Sequence, residues 1–254
     1  MLVQQRYKHI LEKLEKTGSV VANDIATELS ISPETVRRDL IMLETHGKLK
    51  RVFGGAVTVN VNNHFTEFES RLNQNTELKA ELSRLAIKMI DDCDVIAVES
   101  GSTATEMAKM LLETDLDITV ITQSNTVFNI LKNKFNVVLV GGEYYKEDDC
   151  FGGNITEEFL KRFHVNKSFV FPAALSVKNG IEGYVLPTLS ISRLLTEIAD
   201  KVFVLADSEK FSTRAMYKIM DLDPEFIYIT DSQVSKEVKT EFSDNGLVLI
   251  SEEQ

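Results

Sequence analysis

Seven short apolar runs, most of them separated by segments of helical periodicity, occupy residues 78–250 of the 254-residue chain. Each run is apolar at consecutive positions instead of at every second one, which is typical of strands covered on both faces. The intervening helical segments would provide the two covering layers. The pattern predicts a mostly parallel α/β sheet, with strands at 95–98, 118–121, 137–140, 169–171, 202–205, 226–229 and 247–250.

The first 59 residues follow a different pattern, in which three short helices precede a hairpin. Apolar spacing predicts helices at about 4–16 and 22–29. Ser32, Pro33 and Glu34 then predict the start of a third helix. Serine caps free backbone amides, proline is tolerated at the first helical position, and an acid interacts favourably with the positive end of the helix dipole.

The third helix combines a buried face with exposed polar side chains. Val36, Leu40 and Leu43 recur at i, i+4 and i+7 and form the buried stripe. A basic hairpin with a Gly54-Gly55 turn is predicted at 48–59. Two helices joined by a tight turn, with hydroxyl and guanidinium groups near the start of the second, have the geometry that places those groups in a major groove. The alternative is a structural three-helix module, but the cap, turn, arginines and hairpin together favour DNA binding.

Charge is distributed unevenly along the chain. The formal net charge is −11, but residues 1–60 contain nine Lys and Arg against seven Asp and Glu. This segment is therefore +2, and the rest of the chain is −13. Such asymmetry indicates a small module that can approach phosphates, attached to an acidic body that phosphates would repel.

Other classes of protein are disfavoured by what the sequence contains. No apolar run is long enough to cross a bilayer and the N-terminus has no signal-peptide core, which predicts a cytoplasmic protein without a membrane partner. Two distant cysteines and four histidines form no ligand-like spacing. We therefore expect neither a disulfide framework nor a metal site.

The segment 21–56, which contains ISPETVRRDLIMLETHGKLKRVFGGA, resembles the N-terminal winged helix-turn-helix of the DeoR family of bacterial transcriptional regulators. The resemblance is close through TVRRDL and through the GGA of the wing. It implies that the third helix reads operator DNA and that the wing assists. The DNA-binding residues implied in this way are Ser32, Glu34, Thr35, Arg37, Arg38, Lys50 and Arg51.

Polar loops follow four of the predicted strands. Their sequences are ESGST at 99–103, TQSN at 122–125, GGE at 141–143 and ADSEKF at 206–211. In open parallel sheets, ligands bind beyond the carboxyl ends of the strands. The first loop leads directly into a helix, whose free backbone amides and dipole favour an anion such as phosphate.

The order of these loops resembles the sensor domain of the DeoR family, which is similar in fold to ribose-phosphate isomerases and usually recognises a phosphorylated sugar or derivative. Glu99, Gln123 and Glu209 depart from the residues usual in the family, so the sugar itself does not follow from the resemblance. The effector-binding residues it implies are Glu99, Gly101, Ser102, Thr103, Gln123, Gly141, Gly142, Asp207 and Lys210.

The predicted architecture is an α/β chain with a winged helix-turn-helix at 1–59, a linker at 60–75 and a mostly parallel, doubly covered α/β sensor domain at 76–254. The predicted function is a transcriptional regulator without catalysis or cofactor, a repressor of a carbohydrate-use operon. Its expected partners are double-stranded operator DNA and a phosphorylated sugar. A homo-oligomer, dimer or tetramer, is expected because one winged module makes few phosphate contacts.

Two alternatives remain open at the level of the sequence. One is a sugar-phosphate isomerase-like enzyme with an accessory DNA module, in which Glu99, Asp207, Glu209 and Lys210 would perform general acid-base chemistry. The other is a ligand-free DNA-binding or interaction factor. The fold alone does not distinguish an enzyme from a sensor.

Overall fold

The N-terminal part of the chain contains three helices and a small antiparallel sheet. The computed structural model describes residues 3–17, 19–45, 48–52, 54–58 and 68–252. The N-terminal elements are α1 Val3–Thr17, β1 Ser19–Val21, α2 Ala22–Leu29, α3 Pro33–Thr45, β2 Leu49–Val52 and β3 Gly55–Thr58. The three predicted helices and the hairpin are confirmed. Strand β1 was not predicted, because three residues are too few to show an alternating pattern.

The three helices enclose an apolar cluster. Val36, Leu40 and Leu43 of α3 are buried, as predicted, and pack with Ile10 and Ile25 of the other two helices. Strand β3 lies between β1 and β2 and is antiparallel to both. A three-helix cluster with this two-stranded wing and its extra strand is a winged helix-turn-helix.

The rest of the described chain is built around a seven-stranded parallel sheet. Its strand order is β15-β14-β12-β9-β4-β5-β6, and all seven strands correspond to predicted apolar runs. The strands are β4 Val95–Val98, β5 Thr119–Thr122, β6 Asn136–Leu139, β9 Val165–Val170, β12 Ala199–Leu205, β14 Ile227–Ile229 and β15 Val248–Ile250. The helices are α4 Phe68–Leu72, α5 Thr76–Ile87, α6 Ser102–Leu111, α7 Asn125–Leu131, α8 Asn154–Leu160, α9 Leu186–Glu197 and α10 Lys236–Asp244.

The sheet is covered on both faces, as the absence of alternation predicts. Successive residues of a strand point to opposite faces. In β9 and β12, Phe169 and Phe203 belong to one apolar cluster, while their neighbours Val170 and Val204 belong to the other. The two phenylalanine rings stack with centroids 5.1 Å apart. Within the described residues, no helix is long and apolar enough to cross a bilayer.

Two small antiparallel sheets, which the sequence pattern did not reveal, extend from the main sheet. Strand β7 Glu143–Tyr145 pairs with β8 Cys150–Gly152. Strands β10 Ala174–Ser176, β11 Gly180–Gly183 and β13 Tyr217–Met220 form the other, with β11 in the centre. Residues 60–67 of the predicted linker lie outside the described residues. The rest of that predicted segment contains helix α4, in which Phe68 is buried.

Candidate functional site

The N-terminus of α3 is organised by Ser32. The Ser32 side-chain oxygen accepts a hydrogen bond from the Thr35 backbone amide at 3.1 Å and lies 2.8 Å from the Thr35 hydroxyl. The predicted serine cap is therefore present. It fixes two hydroxyl groups at the start of the helix, where the positive end of the dipole favours a phosphate oxygen.

Two arginines extend from the same helix into solvent. Arg37 and Arg38 side chains are 58% and 78% exposed. Both lie near the Glu34 carboxylate, at 3.5 Å and 3.8 Å. These exposed pairs stabilise the fold little, so the guanidinium groups can exchange Glu34 for a phosphate or a base edge at small cost.

The wing brings a third arginine close to α3. The Arg51 backbone amide and Nε each donate to the Glu44 carboxylate at 2.7 Å. Arg51 is thereby fixed beside α3. The backbone of Lys50 pairs with Val57 in the hairpin, while its side chain lies outside the described residues.

A buried ion pair that was not predicted from the sequence positions α3. Arg6 of α1 donates through Nε and Nη2 to the two carboxylate oxygens of Asp39, at 2.5 Å and 2.9 Å. The hydrogen bond to Asp39 raises the pKa of Arg6. Asp39 directly follows the two exposed arginines but points to the opposite side of the helix, so it holds α3 against α1.

A cavity of about 410 Å³ opens at the carboxyl ends of β4 and β12. Such a volume suits a small metabolite. The chain segments that line it come from α4, α5, the β4–α6 loop, the small β10–β11–β13 sheet and the loop after β12. The predicted effector-binding residues that line it are Glu99, Gly101, Ser102, Thr103, Asp207 and Lys210.

The other three predicted residues do not line this cavity. Gln123 is fully buried behind β5, and within the described chain neither its side-chain oxygen nor its nitrogen has a hydrogen-bond partner. Gly141 and Gly142 follow β6, and a Cβ on Gly142 would overlap the Thr156 hydroxyl. The packing of Gly142 against Thr156 gives it a structural reason to be glycine.

Helix α6 begins at the cavity. Gly101 precedes it with a φ of 137°, a conformation that favours glycine, and no side chain among the described residues caps the helix. The first intrahelical bond runs from the Thr105 amide to the Gly101 carbonyl at 3.0 Å. The amides of the first turn before Thr105 therefore have no partner within the helix and can bind an anion.

Glu99 is a buried carboxyl group at the wall of the cavity. It accepts hydrogen bonds from the Phe171 amide at 2.8 Å and from the Ser192 hydroxyl. Burial raises the pKa of Glu99 to about 7, although both hydrogen bonds oppose that shift. Asp207, on the loop after β12, is also buried, and burial raises its pKa as well. Its Oδ1 has no hydrogen-bond partner within the described residues.

Two cationic side chains at the cavity were not predicted from the sequence. Lys79 of α5 is only 4% exposed, and its ammonium donates to the carbonyls of Arg71 and Gln74. Burial lowers the pKa of Lys79 to about 8. Arg71 of α4 donates to the Glu147 carbonyl at 2.9 Å and forms an ion pair with Asp148.

A sequence signal for Lys79 did exist. It lies three and seven residues before Leu82 and Ala86, which are both fully buried, so a lysine interrupts an apolar helix face. A cation on a buried stripe indicates a partner in the interior. Arg71 gave no such signal, because its partner Asp148 is distant in sequence.

Both parts of the chain match described protein families. Residues 6–61 match the DeoR-like helix-turn-helix domain, and residues 74–232 match the DeoR C terminal sensor domain. The chain is 32% identical over 234 residues to the HTH-type transcriptional regulator YulB of Bacillus subtilis (strain 168), covering 91% of this chain and 90% of that protein. It is 33% identical over 251 residues to the lactose phosphotransferase system repressor of Lactococcus lactis subsp. lactis, covering 97% and 98%.

Among solved structures, the chain is similar to ribose 5-phosphate isomerase A from Methanocaldococcus jannaschii. That likeness has a TM-score of 0.42 and 18% sequence identity, and it covers 54% of this chain and 55% of the isomerase chain.

Proposed function

The chain belongs to the DeoR family of transcriptional regulators, and from this premise we propose that it represses a carbohydrate-use operon under the control of a phosphorylated sugar. The family match makes the chain a DNA-binding regulator and not an enzyme. A relative that aligns over nearly its whole length is a repressor of a lactose phosphotransferase system. Such a regulator acts on DNA in the cytoplasm.

The proposed DNA-binding residues are Ser32, Glu34, Thr35, Arg37 and Arg38 of the α3 face, with Lys50 and Arg51 on the wing. The exposed arginines supply groups that bind guanine edges or phosphates, and the capped N-terminus of α3 supplies hydroxyls. Since one module with this few cations binds DNA weakly, we propose that a homo-oligomer engages repeated half-sites.

The observation that carries the effector proposal is the convergence of cations on one cavity. Arg71, Lys79 and Lys210 line it together with the uncapped start of α6. The same cavity contains the carboxyl groups of Glu99 and Asp207. Cations and free amides suit a phosphate, whereas carboxylates accept hydrogen bonds from sugar hydroxyls. A ligand with both kinds of group fits this lining better than a bare anion does.

The experiment is a thermal-shift screen of pentose and hexose phosphates beside the same sugars without phosphate. A sugar phosphate should raise the melting temperature by mass action, and its unphosphorylated counterpart should raise it far less. Calorimetric titration of the best compound should show that Lys210→Ala weakens binding about tenfold or more, because a charge-assisted hydrogen bond is lost.

The regulatory part of the proposal needs a second titration, with and without operator DNA. By linkage, a ligand that changes DNA affinity must itself bind DNA-free and DNA-bound protein unequally, by the same factor. Lys236→Ala, on helix α10 and outside the cavity lining, is the control for the loss of the lysine in Lys210→Ala. Equal affinities in both titrations, or indifference to the phosphate group, would reject the effector role.

A further inference from the structure

The turn of the wing is packed against the sensor domain. A Cβ on Gly54 would overlap the hydroxyl of Tyr217, and one on Gly55 would overlap the Met216 Cε as well as the Val20 carbonyl. Burial raises the pKa of Tyr217, and the Asp24 carboxylate of α2 raises it further. The start of β13 therefore touches the wing and lies near α2. The glycine pair that the sequence marked as a turn also permits this close approach.

The same small sheet forms one wall of the effector cavity. In the pairing of β11 with β13, Tyr217 is the partner of Gly183, and Gly183 lines the cavity. Ile219, two residues along β13 from Tyr217, lines the cavity as well. The β11–β13 pair therefore has the cavity on one side and the wing turn at the start of β13.

We propose that Met216 and Tyr217 are a latch that holds the wing turn against the sensor domain and away from DNA. While the latch is closed, Gly55 is buried and Gly54, although exposed, lies against the Tyr217 hydroxyl. Both glycines are therefore held beside the acidic part of the chain, which has a net charge of −13 outside residues 1–60. A wing that contacts phosphates needs its turn exposed and free of nearby negative charge. DNA binding therefore competes with the latch.

The connection of the latch to the cavity rests on the proposed function. A ligand that fills the cavity contacts Gly183 and Ile219 and so shifts the strand that holds the wing. Ligand and DNA are then coupled through one element with two positions, wing docked and wing free. The latch itself acts without any ligand, so the test contains none.

The decisive experiment is a double-mutant cycle between Gly54→Ala and Tyr217→Phe in the full chain. A methyl group at position 54 would collide with the Tyr217 hydroxyl oxygen, whereas the ring carbon that carries it stands 3.7 Å away, an ordinary contact. Gly54→Ala should therefore open the latch when Tyr217 is present. The Tyr217→Phe background removes the atom that collides and should allow the wing to dock again.

The readout is affinity for a DNA duplex that the wild-type chain has selected from a random-sequence pool. Gly54→Ala alone should tighten binding by about fivefold or more, the lower end of typical coupling between sites. In the Tyr217→Phe background, the same change should alter affinity by less than about twofold, as expected when two residues no longer interact. Gly54 has a φ of 84°, but the strain of alanine there is common to both backgrounds and cancels.

The salt dependence separates the latch from a general effect on stability. An opened wing should make additional phosphate contacts and steepen the slope of log affinity against log salt by about one unit for each contact. Circular dichroism should show that each variant is folded. Equal effects of Gly54→Ala in the two backgrounds would reject the contact, and weaker DNA binding confined to the Tyr217 background would reject its inhibitory role.

A second pair of variants avoids the backbone of the wing. Met216→Ala removes the side chain whose Cε meets Gly55, and should tighten DNA binding. Met220→Ala, at the end of β13 and partly buried against the sensor core, is the matched control and should leave DNA affinity unchanged. Equal behaviour of the two would also reject the latch. A failed sugar-phosphate screen would leave this result intact, because no effector is present.

Discussion

The α3 face and the effector cavity both place cations beside carboxylates, but they differ in exposure. Arg37 and Arg38 are more than half exposed, whereas Lys79 and Glu99 are 4% and 6% exposed. Exposed charges are available to a large polyanion and contribute little to stability. Buried charges have shifted pKa values and depend on the fold for their partners. This difference supports our proposal that the first region binds DNA and the second binds a small ligand.

Helix α3 itself carries both an exposed and a buried charge, so the difference between them can be tested there. Asp39→Ala leaves the Arg6 guanidinium without its bidentate partner and should cost on the order of 3 kcal/mol of unfolding free energy. Glu34→Ala, on the exposed side of the same helix, should change stability by less than about 0.5 kcal/mol. Urea unfolding of both variants measures the contrast. Similar losses would contradict the distinction between the two faces.

For DNA binding, in contrast to stability, the exposed side chains of α3 should have the larger effect. Arg37→Ala and Arg38→Ala should keep their stability but each lose about 1–3 kcal/mol of operator affinity, the value of one good base contact. A gel shift with operator and unrelated DNA measures the loss. Lys8→Ala, an equally exposed cation on α1, is the control. If operator affinity stayed the same in both arginine variants, the recognition role of α3 would be wrong.

More of the exposed region than of the buried region could be predicted from the sequence, for a physical reason. The α3 face depends on local signals, such as the Ser32 cap and the helical spacing of Val36, Leu40 and Leu43, and those signals identified the helix. The seven parallel strands were likewise predicted because burial on both faces leaves consecutive apolar residues.

The cavity depends on contacts between distant parts of the chain, which local patterns do not record. Arg71 reaches Asp148 across 77 residues, and the Ser192 hydroxyl donates to Glu99 across 93. The strands β10, β11 and β13 are only three or four residues long, which is too short for their apolar residues to show a clear period. Gln123, Gly141 and Gly142 shared the strand-end position of the other predicted residues, yet the structure places them away from the cavity.

The buried region offers a test through pH. Because the pKa of Glu99 is about 7, its carboxyl group is mostly neutral at pH 6 and mostly ionised at pH 8. A neutral Glu99 still accepts hydrogen bonds from sugar hydroxyls, whereas an ionised Glu99 also repels the phosphate. Effector affinity should therefore fall across this range more steeply in the wild type than in Glu99→Gln. The second pKa of a phosphate is about 6, so the ligand itself also titrates in this range. Dividing the affinity of the wild type by that of Glu99→Gln at the same pH cancels this contribution.

Calorimetry at the two pH values measures that ratio. Glu209→Gln changes an exposed carboxylate at the same cavity and should keep a constant ratio to the wild type. A ratio that stays constant for Glu99→Gln as well would place the phosphate far from this wall of the cavity.

Within the DNA-binding region, α3 and the wing are expected to contact DNA in different ways. Arg51 is tied to Glu44, and we expect its contact with DNA to be to phosphate and independent of sequence. Arg51→Ala should weaken binding to operator and unrelated DNA alike, and should reduce the slope of log affinity against log salt by about one unit. Lys50→Ala should behave in the same way.

Arg37→Ala should instead change the preference between the two duplexes if it reads bases. Binding curves at several salt concentrations therefore separate a phosphate contact from a base contact, and a change of base preference in Arg51→Ala at constant salt slope would contradict the wing's role.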